Sequence, residues 1–335
     1  MTETPKPAPT TPASEDAWTT RRLLAWMSST FAEREMDSPR LLAELLLTRA
    51  IGCDRMSLYT DADRPASNAE RDALRALVGR ALKHEPVQYI AGEAWFYGIR
   101  FTVDPRVLIP RPATETLVDL VLDHFKPRVH EEPPVDPEVT PEPQAEVETE
   151  IATEAQASPP PAPPSVRLAD IGVGSGAIVC ALLKHLPNAT AVATDISQDA
   201  IELAKANAES CGVLPRVEFR RGDLLEPLAG EPPLDAIVSN PPYIPDHEWA
   251  KVEPNVKNHE PTHALRAGPD GLRFVRPLIE HAPALLAPGG LLAIEIADST
   301  ADAVLQLAHA RPDLKDCRIV NDLDGLPRVL VATRA

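Results

Sequence analysis

Hydrophobic positions change their period along this chain, and each change marks a new kind of structure. Between residues 16 and 85 they recur at helical spacing: Leu23, Leu24 and Met27, then Leu41, Leu42, Leu45 and Leu46, then Leu74, Leu77, Val78 and Leu82. Each set lines one face of an amphipathic helix. The third helix carries a start signal, Ser67-Asn68-Ala69-Glu70, in which the Ser and Glu side chains each satisfy the other's backbone N–H. Three or four short helices of this kind make a small bundle. The texture then turns aromatic and β-branched around one glycine, from Trp95 to Val103, which predicts a β-hairpin. Leu108-Ile109-Pro110-Arg111-Pro112 follows as a stiff extended strap, because a residue before proline avoids the α region. A helix is predicted over 114–125, with Leu117, Val118, Val121 and Leu122 facing inward.

Beyond residue 166 strand and helix patterns alternate, as a parallel α/β sheet requires. Strands are predicted over 166–171, 189–194, 217–220, 235–238 and 290–296, with helices over 177–185, 199–211 and 271–286. Segments 317–320 and 328–332 read as a closing antiparallel pair.

Composition sharpens the boundaries. The chain has 335 residues, suiting two domains plus tails, and 37 prolines that cluster. Residues 127–165 hold eleven prolines, nine acidic residues and one Arg, too little apolar surface to offset the entropy of ordering. That segment is expected to be a disordered insertion, and it carries about half of the net charge of −17. An acidic chain is poorly suited to non-specific nucleic-acid binding, which needs a basic surface. Cys53, Cys180, Cys211 and Cys317 form no CxxC pair and read as reduced thiols of a cytoplasmic protein. The first 14 residues, with four prolines and no apolar core, are expected to be a disordered tail rather than a signal peptide. No apolar run is long enough for a membrane span.

The candidate chemistry sits at strand ends. Asp170-Ile171-Gly172-Val173-Gly174-Ser175-Gly176-Ala177 joins the first strand of the sheet to its helix. Glycines there let a ligand approach the backbone, and the helix start adds N–H donors. Asp195, ending the second strand, can accept both hydroxyls of a ribose. Together these fit a nucleoside-bearing cofactor, but Gly172-x-Gly174-x-x-Ala177 suits a dinucleotide as well as S-adenosylmethionine. Asn240-Pro241-Pro242-Tyr243, directly after the fourth strand, breaks the tie. A dehydrogenase needs a proton-handling group at this place, and none accompanies it. An Asn carbonyl beside a Pro carbonyl is instead a compact acceptor pair for the NH2 of an amide or a nucleobase. His259-Glu260-Pro261-Thr262-His263 spells a zinc-protease pattern, but Pro261 forbids the single helical face that motif needs, so no metal site is expected.

These residues in this order resemble the peptide chain release factor glutamine-N5 methyltransferases. The resemblance rests on Pro86-Val87-Gln88-Tyr89-Ile90-x-Gly92, the 95–98 hairpin, Leu108-Ile109-Pro110-Arg111-Pro112-x-Thr114-Glu115, the 170–176 loop, 240–243, Glu260-Pro261-x-x-Ala264-Leu265, Asp270-Gly271-Leu272 and Arg328-Val329. It implies an α/β fold, a Rossmann-like class I methyltransferase domain with a seven-stranded, mostly parallel sheet. It also implies a substrate-docking helical domain over 15–88, a connector over 89–126 and the catalytic domain over 166–335. By the same resemblance, Gly172, Val173, Gly174, Ser175, Gly176, Asp195, Leu224 and Asn240 bind S-adenosylmethionine. Asn240, Pro241, Pro242 and Tyr243 hold the substrate glutamine, Asn240 and Pro241 as the catalytic pair. The implied partner is a release factor, with no membrane and no direct nucleic-acid contact. A ribosomal-protein glutamine methyltransferase is the alternative, supported by Ala94-Trp95-Phe96, and an adenine-N6 DNA methyltransferase a more distant one. Ala113 and Ala297 depart from the family pattern, where an acidic residue and a glycine are usual.

Overall fold

The computed structural model describes residues 17–36, 38–126 and 166–335. The expected tail over 1–14 and insertion over 127–165 lie outside the described residues. The bundle comprises α1 (Thr20–Glu33), α2 (Pro39–Ile51), α3 (Ser57–Thr60), α4 (Asn68–Ala81) and α5 (Val87–Ala91). Met27, Phe31, Leu46, Leu47 and Leu74 fill its core. The capping box at α4 closes as the sequence predicts: Glu70 N–H donates to Ser67 Oγ at 3.2 Å, and Ser67 N–H to Glu70 Oε2 at 2.8 Å. On α2 the hydrophobic count misleads. Leu41 is 42% exposed whereas Glu44 is 4% exposed, because Arg40, Arg55 and the Tyr59 hydroxyl all converge on the Glu44 carboxylate.

The hairpin pairs β1 (Glu93–Phe96) with β2 (Ile99–Thr102). Its two turn residues, Tyr97 (φ 52°) and Gly98 (φ 70°), are both left-handed, the geometry that matches the twist of paired strands. Phe96 and Phe101 drive into the main core. The following helix, α6 (Glu115–Phe125), is preceded by a 3-10 turn at Pro112–Thr114, one residue later than expected. It receives the hairpin tip through Tyr97 N–H to Glu115 and Tyr97 O–H to Asp119, both at 2.6 Å.

The sheet contains β3 (Arg167–Ile171), β4 (Thr190–Asp195), β5 (Val217–Arg221), β6 (Leu234–Ser239), β7 (Leu286–Glu295), β8 (Leu314–Asn321) and β9 (Pro327–Arg334). Their order is β5-β4-β3-β6-β7-β9-β8, and β9 runs antiparallel to both of its neighbours. Helices α7 (Ala177–His185), α8 (Gln198–Ser210), α9 (Pro254–His259), α10 (Val275–His281) and α11 (Ala301–His309) complete the domain. The middle strands are apolar on both sides, as a sheet covered on both faces demands. Leu168, Ala236 and Val238 join one core cluster, Ala169, Ile237 and Ile294 the other.

One sequence expectation fails here. The helix foreseen over 271–286 is only α10, followed by a 3-10 turn at Ala282–Ala284. Gly271 lies at φ 75°, outside any right-handed helix, and Pro283 cannot continue the α hydrogen-bond ladder. The last parallel strand starts at Leu286 rather than 290, with an irregular register against β6 that absorbs Pro288 and two glycines.

Asn207, in α8, is the rivet between connector and sheet domain, a role that no local pattern around it announces. Its Oδ1 accepts the Thr102 N–H at 2.9 Å, while Nδ2 donates to the carbonyls of Thr102 and Ser175, both at 2.9 Å. The side chain is 2% exposed. Asn207→Leu should therefore lower unfolding free energy by about 2–4 kcal/mol, because three backbone groups lose their partner in a dry site. A urea titration unchanged from the parent would refute the rivet.

Candidate active site

Strand register assembles the site. Ile171 pairs with both Thr194 and Ser239, so the chain leaves β3, β4 and β6 at one level. The Gly172 loop, Asp195 and Asn240 consequently emerge side by side at the carboxyl edge, where an open α/β sheet binds ligands. Ser239 also pairs with Ile294, which brings Glu295 up beside Asn240.

Behind this edge lies a cavity of about 980 Å³, lined among others by Gly172, Gly174, Asp195, Leu224, Asn240 and Pro242. Gly172, Gly174 and Gly176 all have left-handed φ (77°, 51° and 81°), which only glycine adopts freely. A Cβ on Gly176 would meet the Ala204 Cβ at 3.2 Å, so this glycine brings the loop down onto α8 and does not itself line the cavity. Val173 and Ser175 do, although both are nearly buried. Each Asp195 oxygen takes one backbone N–H, Oδ2 from Gly174 at 3.0 Å and Oδ1 from Ser197 at 2.9 Å. Each retains acceptor capacity for a ligand hydroxyl. Leu224 is held at φ 47°, a strained conformation for a branched side chain. Its carbonyl accepts the Thr194 hydroxyl at 3.2 Å. Below the loop, burial raises the Asp170 carboxyl to about 7, although Val179 N–H favours its charged form.

A second cavity of about 300 Å³ shares Asn240 and Leu108 with the first and is lined further by Arg111, Tyr243 and Lys251. Asn240 thus stands in the wall between the two. Its Nδ2 donates to Thr114 Oγ1 at 3.1 Å, whereas its Oδ1, also buried, has no protein partner. Pro241 is buried beneath the turn and lines neither cavity. Burial raises the Tyr243 phenol, whose neighbours include Glu295 and Arg328.

The histidines of the zinc-protease pattern stand on separate elements. His259 ends α9 and His263 lies on the 3-10 turn Thr262–Ala264, with Pro261 between them. No cluster able to hold a metal ion occurs among the described residues. Glu260 serves the strap instead: its carboxylate accepts the Ile109 N–H at 3.1 Å and pairs with Arg111. No described helix is long and apolar enough to cross a membrane.

Residues 22–92 match the family described as the PrmC N-terminal domain, and residues 147–259 match the methyltransferase small domain. Among curated proteins, the chain is 38% identical to a release factor glutamine methyltransferase of Chlorobaculum tepidum, covering 92% of this chain and 96% of that one. The protein of the same name from Geobacter sulfurreducens is 38% identical over 94% of this chain and 96% of its own length. That of Rhodopirellula baltica is 35% identical over 96% and 99% respectively.

Proposed function

Since the chain belongs to the release factor glutamine methyltransferases, we propose that it methylates the side-chain amide nitrogen (N5) of the glutamine in the Gly-Gly-Gln loop of a release factor, with Asn240 as the amide clamp. S-adenosylmethionine is the methyl donor; when bound, it supplies a methyl group made electrophilic by a sulfonium centre. The residues that would hold it fit such a group: a glycine loop open to a ligand backbone, a carboxylate with spare acceptor capacity and a roomy cavity. The observation that carries the reading is the partnerless Oδ1 of Asn240, in the wall between a large cavity and a small one.

An amide nitrogen is a poor nucleophile because its lone pair is delocalised into the carbonyl. The protein's contribution is placement. Asn240 Oδ1 accepts one N–H of the substrate amide, turning the face of the nitrogen toward the donor cavity, while Pro241, buried beneath the turn, stiffens the backbone that carries Asn240. Alignment of this kind supplies much of the rate without any general base. The surplus proton leaves after transfer, when the methylated nitrogen is strongly acidic.

The test is incubation with methyl-labelled S-adenosylmethionine and, separately, a purified release factor, ribosomal proteins and DNA. Label should appear on the glutamine of the Gly-Gly-Gln peptide; label on ribosomal protein or DNA in its place would overturn the reading. Asp195→Ala should weaken S-adenosylmethionine binding by roughly ten- to a hundredfold, the value of a charge-assisted contact to the ribose. Calorimetric titration measures it, and an unchanged dissociation constant would remove Asp195 from the donor site.

A further inference from the structure

Glu295 has no role in the reaction as described, yet it is 0% exposed, and neither of its carboxyl oxygens completes a hydrogen bond. A buried carboxyl left in that condition calls for an explanation. Register places it beside Asn240, since Ser239 and Ile294 are partners. The groups facing it come from four elements: the Thr114 hydroxyl from the 3-10 turn before α6, the Tyr243 hydroxyl after β6, Arg328 from β9 and Arg111 from the strap. The two arginines have their own carboxylates, Arg328 on Asp322 at 2.9 Å and Arg111 on Glu260.

We propose that Glu295 is a positioning residue for methyl transfer, fixing through the Thr114 hydroxyl which end of the Asn240 amide faces the substrate. The proposal rests on the amide-clamp reading of Asn240. A threonine hydroxyl has one proton to donate and lone pairs to accept with. Thr114 Oγ1 already accepts from Asn240 Nδ2 at 3.1 Å, so its proton must point elsewhere, and the Glu295 carboxylate is the acceptor that faces it. Catalytic hydrogen bonds tighten when substrate binds, and that bond is one of them. With Glu295 accepting from Thr114, Thr114 can only accept from Asn240, and Asn240 must turn its carbonyl oxygen toward the substrate NH2. Were Thr114 to donate to Asn240 instead, the amide would flip. Two NH2 groups would then oppose each other, and the Glu295 carboxylate would lose one of the two neutral hydroxyl donors that face it. A carboxylate is the one side chain here that accepts without donating, so it selects the productive orientation.

Burial holds the Glu295 carboxyl above its ordinary range despite both arginines. Protonation makes it a donor and removes the selection. The transfer rate should therefore fall as pH drops through an apparent value above the usual carboxylate range, because only the charged form, present at higher pH, orients Thr114.

The decisive experiment is single-turnover methylation of a release factor by Glu295→Gln across pH, with S-adenosylmethionine affinity measured on the same variant. A glutamine can donate to Thr114 and reverse it, so the transfer rate should fall about tenfold to a hundredfold. Donor affinity should stay close to the parent's, and the acidic limb of the pH profile should disappear. Thr114→Ser should keep at least about ten times the rate of Thr114→Val, which cannot relay the orientation; this pair decides the matter if Glu295→Gln does not fold. A parental rate in Glu295→Gln, an unaltered acidic limb, or equal rates in the two Thr114 variants would overturn the proposal. Failure of the underlying clamp reads differently: Asn240→Ala itself would then remain active.

Discussion

Asn240→Ala is expected to transfer methyl groups about 10²-fold or more slowly than the parent in single turnover, through lost alignment and one lost acceptor in a closed site. The fold should survive, because the turn is set by Pro241 and Pro242 and by the strand pairing of Ser239 with Ile171 and Ile294. Donor affinity should fall far less, since the Gly172–Gly174 backbone and Asp195 remain. What disappears is the one buried acceptor in the dividing wall without a protein partner. Asn240→Asp sharpens the test: the carboxylate keeps an acceptor but can no longer donate to Thr114, and it adds a charge beside the sulfonium. It should hold the donor at least as tightly and still transfer slowly. Single-turnover methylation paired with calorimetry on both variants settles the point, and near-parental turnover by Asn240→Ala would sink the clamp.

Most of this site was legible in the sequence because its parts are local. A glycine loop, an acid at the end of the next strand and a proline-stiffened turn each announce themselves within a few residues. The parallel sheet then brings them to one edge by register. What could not be read is what depends on distant pairing. Thr114 meets Asn240 across 126 positions, and Asn207 meets Thr102 across 105. The burial of Glu295 likewise depends on groups far apart in the chain, from Thr114 and Arg111 to Tyr243 and Arg328. The helix period misplaced Leu41 and Glu44 because burial on α2 is decided by a cluster of arginines and a tyrosine. The foreseen helix over 271–286 failed because apolar spacing cannot show that Gly271 sits at φ 75°. A Cβ there would come within 2.9 Å of the Tyr243 carbonyl.

The second large effect concerns Glu260, the residue most open to misreading. As the middle of a zinc-protease pattern it would be a general base; in the structure it is the bolt that fastens the strap to the sheet domain. Its carboxylate is almost wholly buried and accepts from Ile109 N–H while pairing with Arg111, whose side chain is 32% exposed. Breaking a fully buried ion pair from one side costs about 3–5 kcal/mol. Arg111 can turn partly to water, so Glu260→Ala should lose about 2–3 kcal/mol. Activity should drop with it, because Leu108 and Pro110 of the strap wall the large cavity and Arg111 the small one. The loss should show mainly in KM for the release factor. Glu260→Gln, which still accepts from Ile109 but carries no charge, should fall between parent and Glu260→Ala. The two readings of Glu260 part at this point. If it bolts the strap, urea midpoints move with the substitutions and metal chelators leave the parent's activity unchanged. If it served a metal, chelators would abolish activity and the midpoint of Glu260→Ala would stay where it was.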